Sequence, residues 1–466
     1  MSRLKWQNLL CQERTRELLG GPASRKAEKE ERTEFERDYG RTIYSAPFRR
    51  LKQKAQVFPL EKSDYVRTRL IHSQEVSSVA EDLAFQVIRK IKDKGMKKQE
   101  RAAIPVVAAT CGLIHDLGNP PFGHAGEQAI STWFEDKVTN NACFLQDLTA
   151  QQRQDFLKFE GNAHTFRIVS HLWLLSDHYG LNYTSGTLSA LRKYLAPSDK
   201  AGKGGHAYSK PGYFCSEREV IEKVVAKTET LDSRHPIAFL VEAADDMVYS
   251  VVDLEDGIKR KVLEWEDLSR FLKRKSDDCK PYQRAIARAK EQINARDFSG
   301  SAKGEAMAQA FRIHAISEIA IAVKEVFSKR YEAIMNGSYD NELLTDNAST
   351  AKSLVEACKE FARNHLYSSS EILKLEVRGR RVIHDLMDLF WEAVKDVDRR
   401  SLPVGTKKYP GKLYNLISDN YRRVFEKRLN DELEHPIYCK MQLVTDYIAG
   451  MTDPFACQLH RDLTNG

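Results

Sequence analysis

Two metal-grade side chains stand next to each other at His115-Asp116, in the run LIHDLGNPPFGHAGE. They close an apolar stretch, IPVVAATCGLI, where bare polar groups would be costly to bury. Gly118-Asn119-Pro120-Pro121 then breaks the run and turns the chain, so that His124 and Glu127 can fold back towards the pair. An isolated His-Asp dipeptide carries little information. A buried helix, the dipeptide, a Gly/Pro turn and then His and Glu form a far more specific arrangement. The order suggests a metal centre.

Two further ligands are available at a distance. His72 shares a helical face with Val76, Val79 and Leu83. A histidine in such a stripe is usually an ordinary core residue, but Arg69 lies one turn earlier on the same face and demands polar partners there. Asp245 lies in IAFLVEAADDMVYSVVDLEDG, where Asp245, Tyr249 and Asp253 follow at i, i+4 and i+8 and stack on one face. Two acids within so apolar a run are poorly explained by solvation alone. His72, His115, Asp116 and Asp245 make a His/carboxylate set that suits Mn, Fe, Co, Ni or Zn, and Mg less well, because imidazole prefers borderline metals. A second dipeptide, His384-Asp385, lacks a following turn, His or acid and reads as structural.

Helices must position these groups. Helical spacing runs through 66–91, 104–117, 236–256, 305–335, 352–366, 380–397 and 437–449. Residues 104–117 are apolar nearly all round, which predicts a buried helix. Pro236 suits a first helical turn. Strand patterns are scarce; the alternation near 375–381 suggests a short hairpin. Residues 196–216 are rich in Gly, Pro and Ser and read as a long binding loop or lid. The charged stretch 20–34 reads as a mobile surface connection. The expected fold class is all-α, with a segment 1–35, a catalytic helical core 36–260 and a helical C-terminal region 261–466 that completes the pocket and carries subunit contacts.

The chain has 466 residues, 42% hydrophobic and 30% charged, enough for a large core under a solvated surface. No apolar run approaches the ~18 residues of a membrane span, and the first residues lack the apolar stretch of a signal peptide. The expectation is a soluble, cytoplasmic protein with no membrane partner. Eight scattered cysteines without a CxxC pair argue against a zinc ribbon or thioredoxin-type site. Lys plus Arg is 73 and Asp plus Glu is 66, a net charge of +7 that suits a polyanionic ligand without requiring nucleic acid.

The assembled blocks DYGRTIYSAPFRRLKQKAQVFPL, RTRLIHSQEV, HDLGNPPFGHAGE, FEGNAH, EAADDMVYSVVDLED and DYIAGMTD resemble, in order and over nearly the whole chain, the bacterial dGTP triphosphohydrolase family of the HD superfamily. The resemblance implies hydrolysis of deoxynucleoside triphosphates to a deoxynucleoside and inorganic triphosphate. It implies that His72, His115, Asp116 and Asp245 hold a divalent metal (Mn, Mg, Co, Ni, Fe or Zn). Asp245 rather than Asp246 is the ligand, because the family's sugar-contacting Tyr and acid follow at four and eight residues. His124 and Glu127 become the catalytic pair, with His124 acting as acid or base. Gln56 and Asp253 would meet the 3′-hydroxyl, Tyr249 the deoxyribose, and Arg69, Asn162, Lys193 and Tyr194 the phosphates. Glu376 would meet the base. The family's KYP is Lys193-Tyr194-Leu195 here. The resemblance also implies a homo-oligomer, often a hexamer, and leaves single-stranded DNA open as a partner. Other HD-type nucleotidases or phosphodiesterases, and a nucleotide- or DNA-binding regulator, are the competing readings.

Overall fold

The helical periodicities of the sequence become real helices in the computed structural model, which describes residues 3–23, 30–60, 66–91, 95–172, 177–296, 298 and 300–464. Among these residues there are twenty-one α-helices and one two-stranded sheet. Those that build or support the site are α1 (Arg69–Lys90), α2 (Lys98–Ile114), α3 (Gly123–Asn140), α4 (Gly161–Ser170), α5 (Pro236–Lys259), α6 (Gly300–Met335), α7 (Lys352–Phe361), α8 (Ser370–Val394) and α9 (Pro436–Ala449).

Two apolar cores hold these helices. In one, α1 contributes Val76, Leu83 and Val87, α2 Ile104 and Val107, α5 Leu240, Met247 and Val251, and α6 Ile319 and Val323. In the other, Leu113 and Ile114 at the end of α2 meet Trp133 and Phe134 of α3, Phe166 of α4, Leu386 and Phe390 of α8, and Val444 and Ile448 of α9. Burying each such side chain is worth ~1.5–3 kcal/mol before conformational entropy is charged against it. Helix α2 passes from one core into the other, and its exit carries His115-Asp116. The metal-grade residues therefore sit on the seam between the cores.

Close approach of α1 and α2 depends on Gly112. A Cβ there would lie 2.6 Å from the Ser77 Cα. This contact sets the His72 and His115 rings 5.4 Å apart. Pro236 opens α5 as expected, and the His235 side chain accepts the Ile237 N–H at its start. Helix α6 contains a stretch with mean hydropathy 1.2, but it packs against α5 and Lys280–Asn294 as a core helix.

The hairpin expected near 375–381 does not form. Those residues lie inside α8, which is continuous over 25 residues. The Leu-Lys-Leu-Glu-Val alternation is too short to outweigh the helical stripe of Val382, Ile383, Leu386 and Phe390 that buries the same helix. The 196–216 stretch is mostly loop, but it also contains a short parallel pair, β1 (Ala196–Pro197) with β2 (Pro211–Tyr213). Of the charged stretch 20–34, residues 24–29 lie outside the described residues. His384 and Asp385 lie within α8: His384 Nε2 meets the Thr132 hydroxyl at 3.2 Å, and Asp385 pairs with Arg381 and His460.

Candidate metal centre and substrate cavity

Helices α1, α2 and α5 converge on one point. His72 comes from α1, His115 caps α2 and Asp245 lies on α5, and their ligand atoms all fall within 4.8 Å of one another. His72 Nε2 faces Asp245 Oδ1 at 3.0 Å. His115 Nδ1 donates to the Gly112 carbonyl at 2.8 Å, which fixes the tautomer and leaves Nε2 bare. That Nε2 is buried without a hydrogen-bond partner, 3.5 Å from Asp116 Oδ2 and 3.5 Å from Asp245 Oδ1. A buried ring nitrogen between two carboxylates asks for a cation, proton or metal, so the donor set fits a borderline divalent metal.

Electrostatics point the same way. Burial works against a charged His115, but Asp116 and Asp245 outweigh it and pull the group up to about 9. Burial likewise works against an ionised Asp245, yet the facing histidines hold it well below the usual carboxylate range. Asp116 is brought down to about 2 against its own burial, chiefly by Arg69, whose Nη1 donates to Oδ2 at 2.5 Å. Asn119 Nδ2 donates to the other Asp116 oxygen at 2.8 Å. A carboxylate offers about four lone-pair sites, so both contacts leave room for a metal.

The neighbouring Asp246 faces elsewhere. Its Oδ2 pairs with Lys359 Nζ at 2.9 Å, and burial pushes it up to about 6. The structure thus separates the two adjacent acids, with Asp245 in the His cluster and Asp246 against α7.

A cavity of about 500 Å³ opens in front of this cluster, within the usual range for small-molecule sites. Its wall includes Gln56, Arg69, His115, Asp116, His124, Glu127, Asn162, Lys193, Tyr194, Asp245, Tyr249, Asp253 and Glu376. Among the candidate residues read from the sequence, His72 alone stands behind the wall, at 1% exposure.

His124 Nδ1 pairs with Glu127 Oε2 at 3.0 Å, and Glu127 Oε1 accepts the Gly161 N–H at 3.2 Å. The His124 side chain is 83% exposed, so its other nitrogen is open to a substrate. The hydrogen bond and charge of Glu127 raise the His124 pKa. Tyr249 lies one turn beyond Asp245, with Lys359 Nζ 5.5 Å from its ring centroid. Asp253 is pushed up to about 8 by burial, although the Tyr367 hydroxyl donates to it at 2.7 Å. Gln56 Oε1 is buried with no partner.

Lys193 and Tyr194 form part of the far wall. Lys193 Nζ lies 3.6 Å from Glu242 Oε1, which also meets His206 Nε2 at 2.8 Å, while Arg234 donates to Glu242 Oε2 at 2.7 Å. His206, Glu242 and Glu342 bring ligand atoms within 4.8 Å as well. Lys193 and Arg234 already neutralise Glu242, so this group reads as an ion-pair network that holds Lys193. Asn162 Nδ2 donates to Glu160, which Lys210 also meets at 3.3 Å.

Several groups at the cavity escaped the sequence reading. Lys210 lies in the Gly/Pro-rich stretch, where a lysine looks like any solvated loop residue. Tyr367 lies just past a helix and shows no spacing signal. Glu242, four residues before Asp246, is an acid in the same apolar run, and that could have flagged it. Lys54 is 3% exposed and donates to the Asn119 carbonyl at 2.5 Å and the Ala449 carbonyl at 2.9 Å.

Comparison with known proteins shows the family of the chain. The phosphohydrolase-associated domain family matches residues 411–462. A deoxyguanosinetriphosphate triphosphohydrolase-like protein of Listeria monocytogenes is 36% identical, with 99% of each chain covered. The deoxyguanosinetriphosphate triphosphohydrolase of Cronobacter sakazakii is 31% identical over 95% of this chain and 96% of its own. That of Salmonella typhimurium is 31% identical over 92% and 93%.

Proposed function

Because the chain belongs to the deoxyguanosinetriphosphate triphosphohydrolase-like family, we propose that it hydrolyses deoxynucleoside triphosphates, dGTP foremost, to a deoxynucleoside and inorganic triphosphate. The observation that carries this reading is a single cavity that joins the His/Asp cluster, the His124–Glu127 pair and the Gln56–Tyr249–Asp253 face.

His72, His115, Asp116 and Asp245 would hold a divalent ion, which acts as a Lewis acid on an α-phosphate oxygen when bound. Arg69, Lys193 and Asn162 receive the triphosphate; the lysine serves as a point charge and the arginine as a fork. As water attacks the α-phosphorus and releases a proton, the bond to the 5′-oxygen breaks, and His124, kept protonated to higher pH by Glu127, donates to that oxygen. Tyr249 covers the deoxyribose, so a 2′-hydroxyl would find no partner there. Burying an unpaired hydroxyl costs roughly 1–3 kcal/mol, or about one to two decades of selectivity. Asp253 and the unpartnered Gln56 Oε1 address the 3′-hydroxyl. Incubation with each dNTP and with GTP in Mn²⁺, with the phosphate products resolved, tests the reading.

A further inference from the structure

The loop that carries Gln56 and the turn that carries His124 come from different parts of the chain, and both rest on one buried carboxylate from the C-terminal region. Asp453 is 1% exposed. Its Oδ2 accepts the Ala55 N–H at 3.0 Å and its Oδ1 accepts the Phe122 N–H at 3.1 Å. Ala55 immediately precedes Gln56, and its carbonyl accepts Arg69 Nε at 3.2 Å. Phe122 stands at the start of α3, two residues before His124, with φ +66°, and Gly123 follows at +59°. A left-handed phenylalanine is strained and persists only where its surroundings impose it. The bond to Asp453 is such an imposition.

The seam around Asp453 is tied in the same direction. Lys54 joins the Asn119 and Ala449 carbonyls. Arg50 Nη1 donates to the Gly450 carbonyl at 3.2 Å and to Tyr421 Oη at 2.8 Å. These contacts bring the 449–453 turn, within the phosphohydrolase-associated match, directly under the cavity.

We propose that Asp453 is a positioning residue for the reaction: its two oxygens clasp the Ala55 and Phe122 amides and so set where Gln56 meets the sugar and His124 meets the 5′-oxygen. The proposal rests on the function argued above. A carboxyl group offers one acceptor oxygen to each amide, whereas an asparagine side chain offers only one. The 449–453 turn thereby supports the active-site wall from behind.

Asp453→Asn keeps the shape but turns an NH₂ towards one amide. Metal-loaded Asp453→Asn is expected to retain its metal, to lose kcat by roughly a hundredfold, the cost of about 1 Å of misplacement, and to show a contracted preference for dGTP over ddGTP. That preference is a ratio, so a smaller folded fraction cannot move it. Tyr421→Phe, which loosens the same seam without touching either amide, should lower Tm and leave the ratio unchanged. Amide hydrogen exchange over 55–56 and 122–123 should accelerate in Asp453→Asn only. Unchanged exchange at both places, or an unchanged ratio and kcat with a lowered Tm, overturns the proposal. If wild type releases no triphosphate from any dNTP, the functional reading falls instead, and the exchange measurement still decides whether Asp453 holds the two loops.

Discussion

At the scale of single residues, the sharpest distinction is between groups of identical chemistry placed differently. Asp245 faces two histidines, whereas Asp246 faces Lys359. Asp245→Asn should therefore strip the metal and Asp246→Asn should leave it bound; metal analysis of the two purified variants decides, and loss from Asp246→Asn alone would reverse the assignment. His115→Ala and His384→Ala differ in the same way, because His384 meets Thr132 and Asp136 on the side of α3. His124 supplies a pH test. Its raised pKa keeps the proton on as pH climbs, so a donor role is fully expressed below the ordinary histidine range and lost as pH passes the raised value. Removing the charge in Glu127→Gln should shift the alkaline limb of the kcat profile to lower pH. His124→Ala should slow turnover by roughly 10²–10⁴-fold below the raised His124 pKa, with the gap closing above it. An unshifted limb in the Glu127 variant would take the proton donor out of His124.

At the scale of elements, helix α5 acts as a ruler. With a rise of ~1.5 Å per residue, Tyr249 and Asp253 lie roughly 6 and 12 Å along the axis from Asp245, the step from an α-phosphate to a deoxyribose. Tyr249→Ala should relax discrimination against GTP by about one decade, the low end of the hydroxyl cost. Asp253→Ala should instead raise KM for dNTPs and narrow the gap to dideoxy analogues. Steady-state kinetics on dGTP, GTP and ddGTP test both, and unaltered sugar preference in both would remove this face from the site. This ruler was legible in the sequence because i, i+4 and i+8 survive into any helix. The same holds for His72 in its stripe and for the turn after His115. What was not legible came from contacts without a local period. Tyr367 reaches the cavity, and Asp453 and Lys54 reach residues of its wall, through tertiary packing, and nothing in their own neighbourhoods announces it. The false hairpin shows the converse: the alternation near 375–381 yielded to the longer helical stripe of Val382, Ile383, Leu386 and Phe390 in the same helix.

At the scale of the whole molecule, chemistry is concentrated on the seam between two apolar cores, and α2 crosses it. Neither core could hold the site alone. The first fixes α1 and α5, with His72 and Asp245. The second fixes α3, α4 and α9, with His124, Glu127 and the turn that leads to Asp453. The seam also explains why so many charges are buried together: Asp116, Asp245, Asp246, Glu242 and Asp453 each meet an arginine, a lysine, a histidine or backbone amides, while Asp253, which meets the Tyr367 hydroxyl, is pushed towards its neutral form. The central claim is that this seam cuts a dNTP between the sugar and the whole triphosphate. The direct measurement is product analysis of dGTP turned over by the purified protein in Mn²⁺. The account predicts deoxyguanosine and inorganic triphosphate in equal amounts; dGMP with pyrophosphate, or dGDP with phosphate, would contradict it.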